Sequence, residues 1–258
     1  MKLMLGLIEP SGGQVTVLDT DPTSRVFTAR RGRLGYLPEN VSFYQHMTGL
    51  ELLRYYARLK GVADEEVGRR LLQVGLHEAA GERIKTFSKG MRQRLGLAQA
   101  ILGDPELLFL DEPTTGFDPT ARRDFYQIVS NLRTNGTTVI ISSHSFTDVE
   151  VLADRIALVR KGRLVACGSL ADLSKEAGLP LRARITVEPD CAARVAQLLA
   201  PHCRFEQIND QTIDLIYDAT ERVSTLQQIA SLGDMVLDVS ISATRLEDVY
   251  LHLMSSAP

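Results

Sequence analysis

The stretch Leu107–Asp118, Leu-Leu-Phe-Leu-Asp-Glu-Pro-Thr-Thr-Gly-Phe-Asp, sets the tightest limit on what this chain can fold into. Its first four residues are apolar without alternation, and Val139–Ile141 repeats the pattern. Strands of that kind are covered on both faces, the condition of a parallel sheet lined by helices. Strand candidates Gln14–Leu18, Arg33–Leu37, Leu107–Leu110, Thr137–Ser142 and Arg155–Val159 alternate with helical patterns, which is an α/β order. Three helical patterns, Thr48–Leu59, Asp64–Val74 and Lys89–Leu102, follow one another with no strand between them. They predict a helical subdomain over residues 40–102, inserted into a sheet domain of residues 1–175.

Past Ser174–Pro180 the pattern changes. Strand Arg184–Val187, helix Cys191–Leu199, strands Arg204–Ile208 and Thr212–Tyr217, helix Glu221–Ser231 and strand Met235–Ile241 give β-α-β-β-α-β. That order predicts a ferredoxin-like α+β accessory domain over residues 180–258, closed by an amphipathic helix from Leu246 to Leu253.

A chain of 258 residues buries most of the surface it exposes unfolded, so a tiny stapled fold is excluded. Net charge is −3, with 24% charged residues, which argues against disorder and against a nucleic-acid partner. Cys167, Cys191 and Cys203 lie far apart and without metal-ligand spacing, the pattern of a reducing compartment. The opening apolar run stops at Glu9, and no stretch approaches the length of a membrane span. We therefore expect a cytoplasmic protein whose membrane role, if it has one, passes through another chain.

Open parallel sheets collect ligands at the carboxyl ends of their strands. Asp111 and Glu112 stand at such an end, where an unpaired carboxylate costs several kcal/mol and calls for a cation or a reacting water. The plainer reading is that they cap a turn. Asp118-Pro119 reads as an N-cap with proline at the first helical position. Thr137–Ser142 ends in the same way, with His144 just past it. Two strands delivering titratable groups to one edge favour a site.

Ser88 is a good N-cap, with Met91, Leu95, Ala98 and Leu102 following at helical spacing. Helix N-termini favour acids, yet Lys89, Arg92 and Arg94 open this one and no acid does. With Gly90 leaving the backbone open, the tip suits an anion such as phosphate. A solvated basic face is the competing reading.

Together these segments resemble the ATPase subunit of ATP-binding cassette (ABC) transporters, over residues 1–170. Phe87–Gln93 is similar to the family's signature segment, more usually LSGGQ, and Leu107–Glu112 to its Walker B strand with the catalytic glutamate. Gly116-Phe117-Asp118 looks like the D-loop, His144 like the switch histidine, and Gly35–Glu39 lies where the family has its Q-loop. The resemblance implies a P-loop NTPase-like fold, ATP as ligand and Mg²⁺ as cofactor. Asp111 would hold Mg²⁺ through water, Glu112 would polarise the attacking water, and His144 would contact the γ-phosphate. Ser88, Lys89, Gly90 and Met91 would close over ATP held by a second copy, so a homodimer is implied. Gly116 and Asp118 would also border the ATP, and Asp118 would couple the two sites.

Two departures from the family pattern stand out. Glu39 takes the usual glutamine position; a carboxylate there can still reach the metal but adds a charge, so slower or differently gated turnover is expected. No GxxGxGKS or GxxGxGKT phosphate loop is present; in the family that loop precedes a helix that reads like Met1–Ile8. We expect an N-terminally truncated version that binds ATP poorly and leaves strand Leu107–Leu110 with an open edge. An in-frame reading of the upstream DNA tests this.

Residues 243–251 resemble the tail of bacterial ATPases that pair with ABC-2-type permeases. Within that group, residues 35–62 and 89–102 look most like the Nos ATPases of copper-site maturation in nitrous oxide reductase. An ABC-2-type transmembrane permease, met by Phe43–Leu59, and a position peripheral to the inner membrane are what this implies. An ATPase of another ABC-2 exporter, for drugs or polysaccharide, and a non-catalytic regulatory module are the alternatives.

Overall fold

The computed structural model describes residues 1–199, 204–242 and 244–256. Cys203 and Ala243 lie outside the described residues. The chain divides into two compact units, Met1–Leu152 and Ala153–Pro258. This division falls ahead of the expected 175–180 boundary.

In the first unit, α1 (Arg25–Arg30) leads to β1 (Leu34–Leu37), followed by the helical run α2 (Gly49–Lys60), α3 (Asp64–Gln73) and α4 (Lys89–Ala100). Then come β2 (Leu107–Asp111), α5 (Pro119–Thr134), β3 (Thr138–Ser142) and α6 (Phe146–Leu152). The strands form a parallel sheet in the order β1-β2-β3. Side chains on the two faces of β2 explain its unbroken apolar run. Leu108 and Leu110 enter the large core shared with α2 to α5, whereas Leu107 and Phe109 pack in a second cluster with Phe27 and Leu34.

The helical subdomain obeys its sequence signals. Thr48 and Glu51 form a capping box at the start of α2, and Gly61 ends it in the left-handed conformation. Leu52, Leu53 and Ala57 are buried while Tyr55 and Leu59 are exposed, the two faces of an amphipathic helix. Helix α4 lies so close to β1 that a Cβ on Gly35 would stand 2.4 Å from the carbonyl oxygen of Ala100.

Four expectations need correction. Gln14–Leu18 is not a strand: Val17 makes a single bridge to Thr20, and Leu18 and Asp19, both left-handed, turn the chain back before pairing can extend. Met1–Ile8 forms hydrogen-bonded turns and no regular helix, broken at Gly6, whose φ is +64°. Strand β2 has no open edge, because β1 and β3 flank it; the sheet edges are β1 and β3. Strand β3 accordingly leaves Val139, Ile140 and Ile141 only half-buried, although their run reads like that of a fully covered strand.

The second unit begins with the hairpin β4 (Ile156–Arg160) and β5 (Arg163–Gly168), turning through left-handed Lys161 and Gly162. Helix α7 (Leu170–Glu176) follows. Next come β6 (Leu181–Val187), α8 (Ala192–Leu199), β7 (Arg204–Asn209), β8 (Thr212–Tyr217), α9 (Arg222–Ser231), β9 (Val236–Ser242) and α10 (Leu246–Ser256). The antiparallel sheet order β7-β8-β6-β9 is the ferredoxin-like arrangement. Ala183, Ile185, Val187, Ile213 and Leu215 face one core with Val195, Leu199 and Ile229 from its two helices.

Candidate functional site

The parallel register decides where the polar residues go. Leu110 lies beside Leu37 and Ile141, and Asp111 beside Ser142, so the carboxyl ends of the three strands finish together. One step on, the Glu112 amide donates to the Ser142 carbonyl at 3.0 Å, extending the ladder past the strand. Glu112 holds a left-handed backbone, φ +46°, a conformation that costs a non-glycine residue about 1–3 kcal/mol. Nδ1 of His144 lies 2.7 Å from Oε2 of Glu112.

Asp111 accepts a hydrogen bond from the Ser142 hydroxyl through Oδ1, and its Oδ2 makes none among the described residues. The Tyr36 phenol of β1 is pushed above its ordinary pKa, first by burial and then by the negative charge of Asp111. An oxygen without a bond at the sheet's carboxyl edge fits a water-shelled Mg²⁺. No group of three or more His, Cys, Asp or Glu side chains among the described residues forms an all-protein metal cage. Glu39 is exposed in the loop after β1, at the same end of the sheet.

The signature-like segment sits at the start of α4. Ser88 caps the helix, its hydroxyl accepting from the Met91 amide at 3.1 Å. Gly90 is open, with Ser88 Oγ at 3.9 Å the nearest atom a Cβ would meet. The three cations read together in the sequence do not stay together. Arg92 donates to the Phe87 carbonyl, and Arg94 reaches the Val74 and Gly75 carbonyls at 3.5 and 3.4 Å. Lys89 instead lies over the turn after Glu112: a Cβ on Gly116, whose φ is +81°, would stand 2.9 Å from its Nζ. Asp118 caps α5 by accepting from the Ala121 amide at 2.9 Å. The tip of α4 and the turn Glu112–Asp118 are thus neighbours within one unit.

A buried acid escaped the sequence reading. Asp148 of α6 is 1% exposed and accepts from the hydroxyls of Thr114 and Tyr126. Burial, then the hydrogen bond to Asp148, pushes the Tyr126 phenol far up. One signal was available: Asp148 and Leu152 are four residues apart, so helical spacing places an acid on the buried face of α6.

Comparison with known proteins places these features in a family. A family model for the ABC transporter matches residues 1–115. An uncharacterised ABC transporter ATP-binding protein of Synechocystis is 41% identical over 179 residues, 67% of this chain and 50% of that protein. The bacitracin transport ATP-binding protein BcrA of Enterococcus faecalis is 34% identical over 262 residues, 98% of this chain and 82% of its own length. A fluoroquinolones export ATP-binding protein of Mycobacterium tuberculosis is 39% identical, covering 67% of this chain and 57% of that protein. The chain spans about half the length of the first curated relatives it matches. A solved ATP-binding subunit of an ABC transporter superposes with a TM-score of 0.61 at 29% identity, over 68% of this chain and 74% of that one. The fold is that of an ABC ATPase of the P-loop NTPase type, and the chain belongs to the family of ABC transporter ATP-binding proteins.

Proposed function

We propose that this chain is the ATP-hydrolysing subunit of an exporter, driving an ABC-2-type permease as a homodimer on the cytoplasmic side of the inner membrane. The contact between Glu112 and His144 is the observation that carries this reading, because two strands deliver a base and an imidazole to one point. Glu112 orients and deprotonates the attacking water, and His144, as an imidazolium with one N–H on Glu112, turns the other N–H to the γ-phosphate oxygen that gains charge. Asp111, with Glu39 from the loop at the same end of the sheet, would hold Mg²⁺, which neutralises phosphate charge when bound. Ser88, Lys89, Gly90 and Met91 cover the nucleotide of the second copy, while Gly116 and Asp118 carry the state of one site to the other. Tyr44, Tyr55 and Leu59 give the helical subdomain an exposed apolar surface suited to a permease.

Phosphate release tests the assignment, measured on the product of the intact gene, with and without permease. Magnesium-dependent hydrolysis that disappears in Glu112→Gln supports it. Absence of hydrolysis in every arm favours the regulatory-module reading.

For the cargo we propose copper-site maturation of nitrous oxide reductase, on the likeness of residues 35–62 and 89–102 to the Nos ATPases. A second reading, drug export, is favoured by the match to BcrA across 98% of the chain. Deleting the gene in its host separates them. Lost nitrous oxide reduction with unchanged bacitracin and fluoroquinolone tolerance supports the first; the reverse supports the second.

A further inference from the structure

Nothing in the proposed chemistry requires the buried carboxylate of Asp148, yet it joins the two segments that carry the reacting groups. Thr114 lies two residues beyond Glu112, and Asp148 four beyond His144. The Thr114 hydroxyl donates to Oδ2 of Asp148, and the Tyr126 hydroxyl of α5 donates to Oδ1. Arg122, also on α5, places its Nε 3.8 Å from Oδ1, and the Asp148 amide lies 3.4 Å from the Ser145 hydroxyl. Thr114 is itself only 4% exposed. Both carboxylate oxygens are therefore occupied from different elements: one by the turn behind Glu112, the other by α5.

Stability alone is a poor reason for such an arrangement, since well-packed apolar groups replace buried charges at little or no loss. Directional bonds do what apolar packing does not, fixing the relative register of the segments they join. We propose that Asp148 is a positioning residue, which clamps α6 to the Walker B turn and so holds the His144 ring with Nδ1 toward Glu112. Its value for hydrolysis rests on the roles proposed above for Glu112 and His144, but the clamp itself can be tested without nucleotide.

The test is the tautomer of His144, read by long-range proton–nitrogen correlation on the isotopically labelled 258-residue chain at alkaline pH, above the imidazole range. The native protein should carry the ring proton on Nδ1, facing Glu112. Thr114→Val, nearly isosteric, should lower the ratio of Nδ1–H to Nε2–H forms by about tenfold or more, the worth of one hydrogen bond to a charged group. Thr114→Ser, which keeps the hydroxyl, should restore it, and Tyr126→Phe should shift it in the same direction as Thr114→Val. A residue that merely stabilises the fold would move the melting temperature in these variants and leave the tautomer alone. Retention of the native tautomer in folded Thr114→Val and Tyr126→Phe overturns the clamp. If the tautomer shifts while hydrolysis is indifferent to Glu112→Gln, the clamp stands and the catalytic assignment falls.

Discussion

The ring nitrogen Nδ1 of His144 and the carboxylate oxygen Oε2 of Glu112 are 2.7 Å apart, although the two residues leave different strands. Adjacent parallel strands in register bring this about, because β2 and β3 stop together at Asp111 and Ser142. In the product of the intact gene, Glu112→Gln should reduce phosphate release by about a hundred- to ten-thousand-fold, the usual worth of a positioned base. It should also hold the ATP-bound dimer, seen as a doubled mass in size-exclusion chromatography with ATP. Unchanged turnover removes Glu112 from the chemistry.

Lys89 and Arg92 stand three residues apart on the same helix, yet they should behave differently. Arg92 serves the Phe87 carbonyl, whereas Lys89 lies against Gly116 at the turn of the proposed site. Lys89→Ala should weaken ATP-driven dimerisation and flatten its salt dependence, with little change in melting temperature. Arg92→Ala should lower the melting temperature instead. Sedimentation across a salt series, beside thermal melts, decides between this division of labour and two equivalent cations.

Gly35→Ala probes how closely α4 lies on β1. The added methyl would meet the Ala100 carbonyl at 2.4 Å, a backbone atom that cannot swing aside. We expect a loss of about 1–3 kcal/mol in urea unfolding, the range for overpacking. Full stability would mean that α4 and β1 can separate without cost.

Acid should weaken the second unit through one ion pair. Arg184 donates to both oxygens of Asp214, at 2.7 and 2.8 Å, and holds this carboxyl below its ordinary value of 3.8. A lowered folded pKa means stability that is present above 3.8 and lost as the pH falls through the lower folded value. Asp214→Asn should therefore be less stable than the native chain at neutral pH, and the gap should close below that point. Chemical unfolding of both proteins from neutral to acid pH measures it; a gap independent of pH would rule out the pair as its source.

Much of the architecture is written in short-range signals. Ser88 and Asp118 cap the helices they were expected to cap, and the β-α-β-β-α-β order after Pro180 predicts the four-stranded sheet. Each of those signals acts within a turn or two of chain, where propensity, capping and apolar period are strong. Expectations failed where the outcome depended on a distant partner. Gln14–Leu18 has the composition of a strand, but among the described residues its only bridge is from Val17 to Thr20, and it joins no sheet although Val17 packs with Leu34 and Leu107. Val139–Ile141 reads as a covered strand but forms a sheet edge.

The order of apolar runs, the turn residues and the capping side chains determined by themselves that this would be an α/β sheet followed by a ferredoxin-like unit, with acids and a histidine at strand ends. Only the tertiary structure decided which of those groups would meet. Parallel register set Glu112 against His144, close packing turned Arg92 and Arg94 toward backbone carbonyls, and burial gave Asp148 partners from two other elements. The physical reason is one of range: helix and strand preferences are settled within a few residues, whereas a hydrogen bond between groups separated by twenty or thirty residues exists only after the sheet has fixed where each segment ends.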